Sequence, residues 1–114
     1  MRISANYDPL RAITERQFQD NQVIRLAEML GYIVYHTHDS RRSNAGFPDL
    51  VMVHPDQPGR VIIAELKRVG GRPTDEQVIW LSLLNGGRIE SYLWDPRDYS
   101  EIEAVLMRRN GDAT

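Results

Sequence analysis

The sequence contains no cysteine. That removes disulfide staples, thiol nucleophiles and cysteine-ligated zinc from consideration, and it suits a cytoplasmic protein. No apolar run approaches the roughly 18 residues that would cross a bilayer, so no membrane partner is expected. The N-terminus lacks the basic-then-apolar segment of a secretory signal. There is no internal repeat and no low-complexity tract. An excess of positive charge is also missing: 14 Lys and Arg face 16 Asp and Glu, for a net charge of −2. Global charge therefore does not announce nucleic acid. The positive charge that exists is local, at Arg41-Arg42, Lys67-Arg68, Arg72 and Arg108-Arg109, and a phosphate-binding face needs only a local patch. The three histidines, His36, His38 and His54, lack the spacing to other ligands that a zinc site requires.

What is present is a chain of 114 residues, 41% of them hydrophobic, enough for one small domain with a core. Residues 1–13 show no clear period and read as an N-terminal arm, residues 14–109 as the domain, and 110–114 as a tail. Thr14-Glu15-Arg16-Gln17 is a capping box that opens a helix. Val23, Leu26, Ala27 and Leu30 follow at helical spacing, and Gly31 stops the helix. Tyr32 to Tyr35, aromatic and β-branched, predict a strand. A polar loop runs from His36 to Gly46. Asp49 opens a second strand that continues to Val53, and His54 to Gly59 is turn chemistry. Val61 to Leu66, nearly continuous in apolar residues, predict a central strand. Thr74-Asp75-Glu76-Gln77 is a second capping box, whose helix runs to about Leu84. Ile89 to Trp94 predict a fourth strand, and Asp98 to Arg109 a final helix with Ile102, Val105 and Leu106 inward. The order α-β-β-β-α-β-α predicts an α/β fold, a small mixed sheet flanked by helices.

Within this frame one constellation carries chemistry. Pro48-Asp49 opens one strand, and Glu65-Leu66-Lys67 lies in the next. Side chains alternate faces along a strand, so Glu65 and Lys67 share one side. Asp49 joins them if the two strands pair. Taken alone, Asp49 also reads as a solvated strand-edge aspartate, and Glu65 with Lys67 as a polar strand face. Together they read differently, because Ile62, Ile63, Ala64 and Leu66 argue for burial of the strand, and an unpartnered buried carboxylate costs several kcal/mol. A hard cation such as Mg2+ or Mn2+, held by Asp49, Glu65 and the Leu66 backbone carbonyl, would remove that cost. It would also activate a water beside a phosphate, with Lys67 positioning the water or stabilising the transition state.

Further residues extend the candidate site. Positions eleven apart on a helix differ by about 20°, so Glu15 lies on the face of Leu26, with Gln19 one turn on, whereas Glu28 points to solvent. Glu15 is thus the candidate third carboxylate; an ordinary first-turn glutamate favoured by the helix dipole is the other reading. Gln77 is explained by its capping box, yet it shares a face with Trp80, Leu81 and Leu84 and can reach the strand ends. Ser40-Arg41-Arg42-Ser43 in the loop before Asp49, and Arg68 and Arg72 after the Glu-x-Lys, suit phosphate contact.

Gly46-Phe47-Pro48-Asp49-Leu50, Ala64-Glu65-Leu66-Lys67-Arg68 and Thr74-x-x-Gln77-x-x-Trp80-Leu81 together resemble the VRR-NUC family of the PD-(D/E)XK, or restriction-endonuclease-like, nucleases. The resemblance spans about Thr14 to Leu106. It implies a restriction-endonuclease-like fold and a Mg2+- or Mn2+-dependent endonuclease hydrolysing phosphodiester bonds in DNA. Asp49 and Glu65 would ligate metal, Lys67 would assist the water, Glu15 would match the acid of the first helix and Gln77 the family's motif glutamine. Stand-alone members occur in bacteria and phages and resemble Holliday-junction resolvases. That implies branched or structured DNA as substrate, a homodimer, and the cytoplasm of a bacterial or phage-infected cell. The Val-Arg-Arg-like element behind the family's name is not literal here, where Lys67-Arg68-Val69 stands. The alternative is a catalytically silent nucleic-acid-binding or assembly protein that keeps the nuclease fold.

Overall fold

The computed structural model describes residues 7–37 and 45–109. A short 3-10 turn, Pro9–Ala12, is capped by Asp8. The Thr14 capping box then forms in both directions: the Gln17 N–H donates to Thr14 Oγ1 at 3.1 Å, and the Thr14 N–H to Gln17 Oε1 at 2.9 Å. It opens α1, continuous over 15–29, whose middle section Phe18–Ile24 winds as a π-helix. The burial pattern gives the reason. Phe18, Val23 and Ala27 are all fully buried. Phe18 and Val23 are five residues apart, which α winding would separate by about 140°, whereas the wider π turn brings positions five apart to one side. The inner face therefore includes Phe18, and Leu26 and Leu30 sit only partly buried at the margin of the core.

Four strands follow: β1 (Ile33–His36), β2 (Leu50–Val53), β3 (Val61–Leu66) and β4 (Ile89–Trp94), in the spatial order β1-β2-β3-β4. The first three form an antiparallel meander, with Tyr35 opposite Val51 and Leu50 opposite Ala64. β4 runs parallel to β3, with Leu66 opposite Trp94. A parallel neighbour needs a crossover connection, supplied by α2 (Asp75–Leu83). A 3-10 turn at Pro96–Asp98 leads into α3 (Tyr99–Met107). The expected order α-β-β-β-α-β-α is the order observed, and β3 is central and buried from Ile62 to Leu66.

Period-two alternation divides the sheet into two faces. One carries Leu50, Met52, Ile62, Ala64, Leu66 and Trp94, which pack with Phe18, Val23 and Ala27 of α1 and with Ile102, Val105 and Leu106 of α3. The other carries Ile63 and Glu65 under α2, which packs over β3 and β4.

The start of β3 is fixed by a buried arginine. Arg60 Nε donates to Glu90 Oε2 at 2.7 Å, its two terminal nitrogens donate to the carbonyls of Arg108 and Val105 at 2.7 and 2.8 Å, and one also reaches Gln57 Oε1 at 3.1 Å. The Tyr32 hydroxyl donates to the Leu106 carbonyl at 2.7 Å. The carbonyls at the end of α3, of which that of Val105 also takes the Arg108 N–H at 3.3 Å, thus receive a cation and a hydroxyl. Arg60→Ala is expected to lower the unfolding free energy by about 3 kcal/mol, because Glu90 and those carbonyls lose their buried partner. Urea denaturation followed by circular dichroism measures the loss.

Candidate active site

The ladder between β2 and β3 ends at Leu50 opposite Ala64. Just beyond it, the Leu66 N–H is taken by Asp49 Oδ2 at 2.8 Å. That bond draws the Asp49 side chain across to β3, where the register also puts Glu65 on the same face. The N–H and carbonyl of one strand residue point the same way, so the Leu66 carbonyl is turned toward Asp49 as well. The next N–H, of Lys67, points to β4 and donates to the Trp94 carbonyl at 2.9 Å.

Glu65 is 1% exposed. Its Oε2 accepts from Lys67 Nζ at 3.0 Å and from Gln77 Nε2 at 2.9 Å. Its Oε1 is buried with no hydrogen-bond partner. The same Gln77 accepts the Thr74 N–H through Oε1 at 2.8 Å. One end of the amide thus closes the capping box of α2, and the other holds the Glu65 carboxylate.

Glu15 arrives from the first turn of α1. Glu15, Asp49 and Glu65 each offer a carboxylate oxygen within 4.8 Å of the other two. The first capping box and the π turn decide this placement, the one by fixing where the helix starts and the other by fixing which side Phe18 turns inward. Glu28 is exposed, as expected.

Burial sets the electrostatics of the cluster. Removal from water, reinforced by the neighbouring Asp49, pushes the Glu65 carboxyl up to about 7, and Lys67 only partly opposes this. Burial also raises Asp49, against the Leu66 N–H and Lys67, which favour its ionised form. Glu15 is raised by burial too, with Lys67 and Arg68 pulling the other way. Three carboxyls crowded around one ammonium are each shifted toward the protonated form, a shift that a divalent cation would oppose. The donor set is all oxygen, as hard cations require, and the bare Glu65 Oε1 is a ligand atom without a protein partner. The residues present therefore fit a divalent cation.

A groove of about 530 Å³ opens from this cluster, lined by Glu15 and Asp49 together with Arg16, Gln19, Asp20, His36 and Thr37. A cavity of about 400 Å³ lined by Leu30, His54 and Leu106 contains the single carboxylate Asp56 and no such cluster. Arg16, His36 and Thr37 are lining residues that sequence patterns do not flag. His36 and Thr37 reach the groove only because β1 pairs with β2, the Thr37 N–H donating to the Asp49 carbonyl at 3.2 Å. Arg68 and Arg72 are exposed beside Lys67 and before α2. Ser40, Arg41, Arg42 and Ser43 lie outside the described residues.

The approach to Asp49 is clamped onto α2. Trp80 Nε1 donates to the Ala45 carbonyl at 3.0 Å, and the Trp80 and Phe47 rings meet edge to face at 5.2 Å. Gly46, at φ +84°, sits so close that a β-carbon there would lie 2.6 Å from the Glu76 backbone. Only glycine fits this contact and this conformation.

No curated protein and no solved structure matches the sequence. A family model does match, that of the VRR-NUC domain, over residues 10–95, and it takes in Glu15, Asp49, Glu65, Lys67 and Gln77. The chain belongs to the VRR-NUC domain family, a family of nucleases.

Proposed function

We propose that this protein is a Mg2+- or Mn2+-dependent deoxyribonuclease of the PD-(D/E)XK kind, an endonuclease acting on branched or otherwise structured DNA in a resolvase-like manner. It would work as a homodimer in a bacterial or phage-infected cytoplasm. The observation that supports the catalytic part most strongly is the convergence of Glu15, Asp49 and Glu65 within 4.8 Å, with Lys67 Nζ 3.0 Å from Glu65. Asp49, Glu65, Glu15 and the Leu66 carbonyl are the groups that would hold the ion. Bound there, a divalent cation supplies polarisation of the phosphate and a water of lowered pKa.

The protein's own contributions follow from the contacts. The Leu66 N–H fixes one oxygen of Asp49 at 2.8 Å. Gln77 and Lys67 both hold Oε2 of Glu65, which leaves Oε1 without a protein partner. Lys67, tethered to that carboxylate, orients the attacking water and donates toward the charge that grows on the phosphate oxygens. Arg68 and Arg72, with Ser40, Arg41, Arg42 and Ser43, serve as DNA-backbone contacts. Arg16, on the groove wall, is paired with Asp20 at 3.6 Å. The second reading, a silent binding or assembly protein, keeps these cations but has no use for a lysine held on a buried carboxylate.

Asp49→Ala and Lys67→Ala should each lower the rate of Mn2+-dependent cleavage of a four-way junction by about 10²-fold or more, with junction binding retained. EDTA should abolish cleavage by the wild type. Junction, flap and plain duplex, tested side by side, measure the structural preference, and no metal-dependent cutting of any of them would return the silent reading.

A pH effect follows from the raised carboxyls. The folded, metal-free chain binds more protons than the unfolded one between about pH 4, where free carboxylates titrate, and about pH 7, where Glu65 does. Its stability therefore falls as pH rises through that window. Glu90 and Asp95, whose carboxyls are lowered by Arg60 and Arg97, act only on the acid side of it. Thermal melts should show a midpoint that drops from pH 5 to pH 8 without metal, a gain on adding Mn2+ that is larger at pH 8, and a flatter profile in Glu65→Gln.

A further inference from the structure

We infer that Arg11, together with Arg68 and Arg72, seats phosphates of the DNA backbone, so that the strand leaves the metal cluster across the Arg68–Gly71 turn. The inference rests on the nuclease reading for its ligand, DNA. It adds a binding residue and a direction to that reading.

The turn is built to hold its arginines in place. The Gly71 N–H donates to the Arg68 carbonyl at 2.9 Å, Val69 is buried, and Gly70 takes φ +86°. With Val69 turned inward, Arg68 and Arg72 on either side of it are exposed. The third arginine comes from a distant part of the chain. Arg11 belongs to the Pro9–Ala12 turn, which Asp8 caps by accepting the Leu10 N–H at 3.0 Å. Arg11 is exposed as well, and its Nη1 lies over the Arg68–Gly71 turn: a β-carbon on Gly70 would be 3.4 Å from it.

None of the three is neutralised by the protein. Among the described residues, Arg11, Arg68 and Arg72 form no ion pair, and Arg68 donates only to the Val69 carbonyl, at 3.5 Å. Arg16, Arg60, Arg97 and Arg108, in contrast, are each held by a carboxylate. Guanidiniums gathered from two segments without a carboxylate partner suit a phosphate, whose oxygens accept several N–H donors at once.

The patch adjoins the site. Arg68 follows Lys67 directly, and its charge is felt at Glu15. Gly70 is three residues from Lys67, hence at most roughly 10 Å away. A DNA strand presents a phosphate about every 3.4 Å of helix axis, so the phosphates next to the one at the metal fall on the turn. The groove offers no comparable path. Arg16, the arginine in its wall, is paired with Asp20, and Glu15 and Asp49 belong to the cluster itself. A backbone following the groove meets no unpaired arginine there, whereas one crossing the turn meets three.

Binding of a labelled four-way junction in EDTA, titrated against KCl, tests this without cleavage. Losing one phosphate contact lowers the slope of log K against log salt by about 0.9 on duplex DNA. Arg11→Gln should weaken binding several-fold at low salt and flatten the slope by about that amount, with an unchanged circular dichroism spectrum. Arg11→Lys should restore most of the slope, because lysine keeps the charge. Arg97→Gln removes the same charge from an arginine held by Asp95 and should leave the slope unchanged, as should Arg16→Gln. A slope indifferent to Arg11→Gln overturns the inference and leaves the nuclease reading intact. A slope that falls as much in Arg97→Gln overturns it too, because bulk charge then explains the effect. So does one that falls as much in Arg16→Gln, because the strand then follows the groove. A protein that shows the Arg11 effect yet cuts no DNA would keep this inference and lose the nuclease reading. One that binds no DNA would lose both.

Discussion

A carboxylate buried in the central strand of the sheet governs much of this molecule. Glu65 follows Ile62, Ile63 and Ala64 in β3, all of them buried. A charge in that position needs partners, and the surrounding elements are arranged to bring them. β2 places Asp49 beside it, α2 supplies Gln77, and β3 itself supplies Lys67. These partners meet one of its oxygens and leave the other bare. The cluster is therefore under-neutralised by protein alone, which is the state a site has before it takes a cation. It is also a cost to the fold, of the kind that sites impose and the rest of the structure carries.

Capping links local structure to this site. Each helix that touches it opens on a threonine capping box. At Thr74 the box serves two ends, because a glutamine has an acceptor for the cap and donors left over for Glu65. A glutamate at position 77 would close the same box but oppose the carboxylate. The Gly46 contact and the Trp80 clamp then lock the start of α2 to the segment that leads into Asp49. The two halves of the site, Asp49 on β2 and Gln77 on α2, are thereby held in one frame although 28 positions separate them in the chain.

Much of this was legible in the sequence because the signals are local. The capping boxes, the glycine stop at Gly31, the alternation in β3 and the amphipathic final helix each rest on a few adjacent residues. Asp49, Glu65 and Lys67 were legible as a set for the same reason: two strands of period two need only pair. What escaped depends on pairings that no local pattern encodes. Phe18 lies outside the α-helical face because its burial requires the π turn. His36 and Thr37 reach the groove only through the β1–β2 register. Arg60 looks like one more turn residue before a strand, and its role becomes visible only when Glu90 and the end of α3 fold onto it.

Arg60 and Glu65 stand at the two ends of the same strand, separated by roughly 17 Å of extended backbone, and the contrast between them distinguishes a charge that the protein saturates from one that it leaves open. Every nitrogen of the Arg60 guanidinium donates, to Glu90, Gln57, Tyr32 and the terminal carbonyls of α3. Such saturation repays the desolvation of the charge and leaves nothing for a ligand. Glu65 is buried as deeply but keeps an oxygen unpaired, two further carboxylates within reach and a groove at its side. Burial alone would not separate the two. The decisive difference is whether the hydrogen-bonding capacity of the charged group is exhausted by the protein, and in β3 it is exhausted at one end only.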